Sequence, residues 1–215
     1  MTFFLAHEIA AVKQVAPATV NLHILPWNNP MVLQDQNSCN TCSRIRPAIW
    51  ATCNKENVII KSSTQLTVLD YEGIVADFYQ QQNKPKHCDY VMEGLTKGNN
   101  KKIAFCELTC KKKNSVTGPY PTGKREYAWV QMGDTVSRWQ AKNSYAAMIQ
   151  KYAEKVFIFA WRDPHVPVIN GNAGSNAMNN FNRSTTSGNV GVVSFGKRGD
   201  FELLQVKYPI QYEWQ

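Results

Sequence analysis

The chain has 215 residues, with 24 Lys+Arg against 16 Asp+Glu and a formal net charge of +8. At 43% hydrophobic and 11% aromatic residues it is too apolar for a disordered protein, and long enough to bury a core without disulfides or metals. Its longest apolar runs, such as Val156–Trp161, fall far short of the ~20 residues a bilayer requires, which excludes a membrane-spanning helix. The basic balance suits an anionic partner such as nucleic acid without identifying one.

In chain order, Met1–Glu8 lacks a basic leader and is interrupted by His7 and Glu8. It reads as the start of the folded chain, with a cytoplasmic location expected. Leu5, Ile9 and Val12 share one face of a predicted helix that stops before Pro17. Leu22–Asn40, with Pro26 and Pro30, reads as loop. The six cysteines (Cys39, Cys42, Cys53, Cys88, Cys106 and Cys110) are expected to be reduced thiols. Cys39-Asn-Thr-Cys42 has the gap with which two thiolates grip zinc, but no second pair follows; Cys53, His87 or Cys88 would have to complete the site. Two free thiols in a loop are expected there, with Zn²⁺ at Cys39/Cys42 as the alternative.

Short β-branched or aromatic runs then predict strands at Val58–Ile60, Gln65–Leu69 and Gly73–Tyr79. His87–Met92 and Lys102–Thr109 are predicted strands joined by the polar turn Gly94–Asn100, an antiparallel hairpin. Lys111–Lys124 is a basic excursion broken by Pro and Gly, and Trp139–Glu154 carries helical spacing. The run Lys155–Trp161 reads as a strand covered on both faces. Asn170–Asn189 is too poor in large apolar residues to build core and is expected to be a mobile loop. Val190–Phe195 and Phe201–Tyr208, joined by Gly196–Gly199, form a closing hairpin. The expected fold class is α/β, a mixed central sheet flanked by helices, in a single domain 1–215. Its core spans about 55–165, with an N-terminal extension 1–54 and the Asn/Gly-rich loop and C-terminal hairpin at 166–215.

Asp89 sits in the first hairpin strand and Glu107 in the second. Burying a carboxylate is costly unless it is paired or binds metal, and adjacent antiparallel strands can bring two of them to one cation. Such an oxygen-rich pair suits Mg²⁺. The plainer alternative has Asp89 starting a turn or pairing with Lys86, and Glu107 on an exposed face.

His87-Cys-Asp-Tyr-Val, then Ile103-Ala-Phe-Cys-Glu-Leu-Thr109, a helix containing Gln140-Ala-Lys-Asn-Ser144, and an apolar strand together resemble the PD-(D/E)XK nuclease superfamily. The likeness is to bacterial members whose paired motifs read Cys-Asp-Tyr-Leu and Ile-Glu-Leu-Lys, and it covers roughly residues 55–165. The resemblance implies a restriction-endonuclease-like core with loop insertions. It implies Asp89 and Glu107 as metal-binding acids, the backbone carbonyl of Leu108 as a further ligand, and Gln140 near the active face. An upstream helical glutamate assists in some members, and Glu72 and Glu56 are both candidates. The family's lysine position is occupied by Thr109. Lys111 lies on the same strand face one pleat farther, about 6–7 Å, and Lys142 is the other substitute; Lys111-Lys-Lys113 can equally be a solvated basic run.

Between Lys111 and Arg138, Tyr120, Lys124, Arg125, Tyr127 and Trp129 interleave cations and rings. They either track a phosphate backbone and stack on bases or belong to an ordinary insertion with its rings in the core. His165 reads as a hydrogen-bonded loop residue. No P-loop, dinucleotide fingerprint or Gly-x-Ser-x-Gly elbow occurs. The expected function is Mg²⁺-dependent hydrolysis of nucleic acid, with Asp89, Glu107, Thr109, Lys111 and Gln140 at the site. The alternatives are a catalytically silent relative binding nucleic acid or a protein partner, and a zinc-containing module. A homo-oligomer stays open.

Overall fold

Alternation of apolar side chains decides the architecture. On the strand Lys101–Cys110 (β6), Ile103 and Phe105 join one buried cluster while Ala104, Cys106 and Leu108 join another, so both faces of the strand are covered. The computed structural model describes residues 1–34, 56–78, 85–110, 116–117, 123–162, 192–207 and 210–215. Its strands are Ile24–Leu25 (β1), Met31–Gln34 (β2), Glu56–Ser62 (β3), Thr67–Asp70 (β4), Tyr90–Leu95 (β5), β6, Glu154–Arg162 (β7), Val192–Arg198 (β8), Phe201–Lys207 (β9) and Gln211–Trp214 (β10). The helices are Thr2–Lys13 (α1), Tyr71–Phe78 (α2), Lys124–Gln140 (α3) and Asn143–Gln150 (α4).

Seven strands form one mixed sheet in the order β1-β4-β5-β6-β7-β9-β8. The β5–β6 pair is antiparallel, and β6, β7 and β9 run parallel. The chain passes from β6 to β7 through α3 and α4, the strand–strand–helix–strand order expected from sequence. The fold is α/β, with a mixed sheet and helices packed upon it. The four described α-helices all feed the cluster on one face, around Phe105, Phe157, Phe159 and Trp139. The other face packs on a three-stranded sheet, β10-β3-β2, through Leu33, Val58, Ile60 and Trp214.

Several local expectations are corrected. Within Leu22–Asn40, β1 and β2 form: Ile24 and Leu25 pair with β4, and Met31, Val32 and Leu33 pair with β3. Of the expected strand Gly73–Tyr79, Gly73–Phe78 belongs to a helix instead, and Tyr79 lies outside the described residues. Asp70 Oδ1 accepts the Gly73 N–H at 2.9 Å, capping the first turn of α2, and Tyr71, Ile74 and Val75 bury one helical face. The helix begins at Lys124, well before Trp139, and a break at Ala141–Lys142 divides α3 from α4. Its buried side chains, Ala128, Trp129, Met132, Thr135, Val136 and Trp139, follow a helical period that the basic and aromatic composition masks. The closing hairpin turns at Gly199-Asp200, where Gly199 has φ +59°, and Gly196 lies within β8 where the pairing register shifts. The zinc question at Cys39/Cys42, and Cys53, Lys111, His165 and Asn170–Asn189, lie outside the described residues. No described helix is long and apolar enough to cross a membrane.

Candidate metal centre at the end of the hairpin

The β5–β6 ladder closes at Tyr90↔Cys106. Asp89 lies one residue ahead of β5, beside the β6 segment that carries Glu107. Glu107 shares its strand face with Ile103 and Phe105, the helix-covered side, and both acids are half-buried. Beyond this point β6 runs on without β5: Glu107–Cys110 keep pairing with β7 on the other edge, Glu107 with Phe159 and Thr109 with Trp161. Asp89 and Glu107 thus lie where β5 leaves this edge of β6.

Asp89 is held from several directions. Its Oδ2 accepts the Leu108 N–H at 2.7 Å, taking up an amide beyond the ladder. Its own N–H donates to the Cys106 carbonyl at 3.0 Å. Its carbonyl accepts the N–H groups of Tyr71 (2.8 Å) and Glu72 (3.0 Å) from the first turn of α2. Of the two upstream glutamates, Glu72 is thus the helical one and adjoins Asp89, whereas Glu56 opens β3 in the smaller sheet, opposite Gln34.

The approach to Asp89 leans on α3. Gln131 Nε2 donates to the His87 carbonyl at 3.0 Å, the Cys88 N–H donates to Thr135 Oγ1 at 3.1 Å, and Arg138 Nη1 donates to the Lys86 carbonyl. Leaving the buried Cys88 N–H without its acceptor would cost about 1–3 kcal/mol. None of these three helical residues stood out in the sequence. Their signal is polar residues spaced four and three apart on one face of an otherwise apolar helix. Gln140 is exposed on the last turn of α3, about 13 Å along the axis from Gln131, so Gln131 is the glutamine that meets the Asp89 segment. Lys142 is exposed at the break between the two helices.

Electrostatics reports the convergence of the two acids. Burial drives the Cys88 thiol well above its ordinary value, and the Glu107 and Asp89 carboxylates push it further. Cys106 is raised by burial, then by Asp89, by Cys88 and by Glu107. Both thiols are fully buried and stay protonated, so the carboxylates are the donors available. Both acids thus act on the same two thiols, and a pair of carboxylates suits Mg²⁺, which keeps several waters of its own. Among the described residues no group of three or more His, Cys, Asp or Glu is spaced to hold a metal. The Leu108 side chain is buried towards the smaller sheet, and its amide is what meets Asp89. Thr109 is 8% exposed.

Positive charge lies alongside. The Lys86 ammonium is 5.4 Å and the Lys124 ammonium 5.5 Å from the centre of the Tyr127 ring, and both side chains are exposed. Trp129 is buried among Arg125, Phe195 and the core. Comparison of the chain with protein-family models, with curated proteins and with solved structures returns no match.

Proposed function

We propose that this chain is a divalent-metal-dependent, nuclease-like protein that hydrolyses phosphodiester bonds in nucleic acid, in the manner of the PD-(D/E)XK enzymes it resembles. The observation that carries the reading is the bond from the Leu108 N–H to Asp89 Oδ2 at 2.7 Å, which holds Asp89 against the β6 residue next to Glu107, just beyond the last β5–β6 pair. A bound Mg²⁺ supplies water activation and neutralises charge developing on the phosphate. Asp89 and Glu107 hold the ion, and Leu108 orients Asp89 through its amide. Thr109 offers a hydroxyl for water where the family places an ammonium. Lys86 and Lys124, gathered round Tyr127, and the overall charge of +8 favour an anionic substrate. Glu72 is the upstream acid of the reading, because its N–H bonds to the Asp89 carbonyl.

One observation favours a second reading. Thr109 is buried and carries no charge, as expected of a silent relative that binds nucleic acid without cutting it. Mg²⁺- or Mn²⁺-dependent cleavage of single- and double-stranded DNA and RNA, with Asp89→Ala and Glu107→Ala controls, separates the two. Cleavage lost in both variants supports the nuclease. Binding without cleavage on every substrate supports the silent relative, and cleavage undiminished in both variants refutes the site.

A further inference from the structure

We infer that Thr135, with Gln131 one turn before it, is a positioning residue for Asp89, so that helix α3, acting through the preceding residue Cys88, helps set the pose of the proposed metal-binding carboxylate alongside the direct bonds from β6 and α2. The functional part of this inference rests on the metal site proposed above; its geometry rests on hydrogen bonds alone. Ahead of Tyr90 the β5–β6 ladder has ended, and the backbone of Lys86–Cys88 is met by side chains of α3. Thr135 is the most deeply set of these, 0% exposed. Its hydroxyl has a single proton, donated to the Gln131 carbonyl at 3.0 Å. The oxygen is therefore turned so that a lone pair receives the Cys88 N–H at 3.1 Å. The same turn of helix sends Gln131 Nε2 to the next carbonyl, that of His87. Cys88 is one peptide from Asp89, so a displacement there is carried directly to the carboxylate. That carboxylate must stay within hydrogen-bond reach of the Leu108 N–H, a linear and short-ranged restraint. Groups that orient a metal-binding carboxylate change metal affinity about 10–100-fold when removed.

The test compares Thr135→Val, which keeps the shape and deletes the hydroxyl, with Thr135→Ser, which restores it. Two quantities are read: hydrogen exchange of the Leu108 amide, and Mn²⁺ affinity by titration, with Asp89→Asn as the baseline. Thr135→Val is expected to speed Leu108 exchange at least ~10-fold while the Phe157 amide in β7 changes less than ~2-fold. Mn²⁺ affinity should fall about 10-fold or more, with Thr135→Ser near wild type on both. Unchanged Leu108 exchange in Thr135→Val overturns the inference, as does acceleration shared equally by Phe157, which marks a merely structural role. If Thr135→Val does not fold, Gln131→Ala carries the same comparison with an expected ~3-fold acceleration at Leu108; no acceleration overturns the inference. Wild-type protein that binds Mn²⁺ no better than Asp89→Asn defeats the metal reading itself, and Leu108 exchange then decides positioning independently.

Discussion

The two ends of the β5–β6 hairpin treat carboxylates in opposite ways. At the turn end each acid meets a donor of its own: the Tyr152 hydroxyl donates to Glu93, the Met1 ammonium lies 3.7 Å from Glu93, and the Lys102 ammonium lies 3.2 Å from Glu154. Lys102 is itself lodged between the rings of Tyr212 and Trp214, 5.6 and 5.3 Å from their centres. At the open end Asp89 and Glu107 both disfavour ionisation of two buried thiols, Cys88 and Cys106. The acids at the turn end meet cations or a hydroxyl, whereas Asp89 accepts a backbone amide. Between the ends runs the aromatic cluster of Phe105 with Trp139, Phe157 and Phe201, at centroid distances of 5.3, 6.0 and 5.8 Å, on the helix-covered face of the sheet.

The largest effect that would break this contrast is on activity. Asp89→Asn and Glu107→Gln should each lower metal-dependent cleavage by roughly 100-fold or more. In metal-free protein the same changes should raise stability by about 1 kcal/mol, or ~2–4 °C in Tm. Added Mg²⁺ should raise the Tm of wild type alone; scanning calorimetry with and without the ion reads both. At the turn end the sign reverses: Tyr152→Phe removes the Glu93 donor and should destabilise by about 1–3 kcal/mol in urea melts.

Alkaline pH sharpens the contrast next. Cys88 and Cys106 in the folded chain are raised above the ordinary 9.0, and Tyr152 above 10.0 through burial and then Glu93. The unfolded chain gives up these protons first, so stability is full below about pH 9 and falls as pH rises, by up to ~1.4 kcal/mol per pH unit for each group. Cys106→Ala should flatten the decline from pH 9, and Tyr152→Phe only the part beyond pH 10. The smallest effect on the fold is expected at the basic flank. Lys86→Ala and Lys124→Ala should leave stability within about 0.5 kcal/mol. Each should reduce the salt slope of oligonucleotide binding by about one.

What was legible in the sequence follows from local periodicity. The largely apolar run Ile103–Leu108, the Gly-containing turn before it and the unbroken apolar run of β7 marked the hairpin and the covered strand, although β5 begins at Tyr90, so Asp89 precedes the strand it was expected to lie in. Where one pattern serves two structures, neighbours decided. The run Gly73–Phe78 fits a strand as well as a helix until Asp70 caps it. Met31–Leu33 is too short to stand out until β3 lies beside it.

The site divides in the same way. Its two acids are residue types in a recognisable order, so the chain itself announced them. Its supports were not announced: Gln131 and Thr135 lie more than forty residues from the segment they hold. Glu72 and Glu56 became distinguishable once α2 was seen to begin against the Asp89 carbonyl. Hydrogen-bond partners distant in sequence leave no periodic trace along the chain. Composition and alternation therefore determined which elements form and which faces they bury, and tertiary packing alone decided which helix steadies the carboxylate.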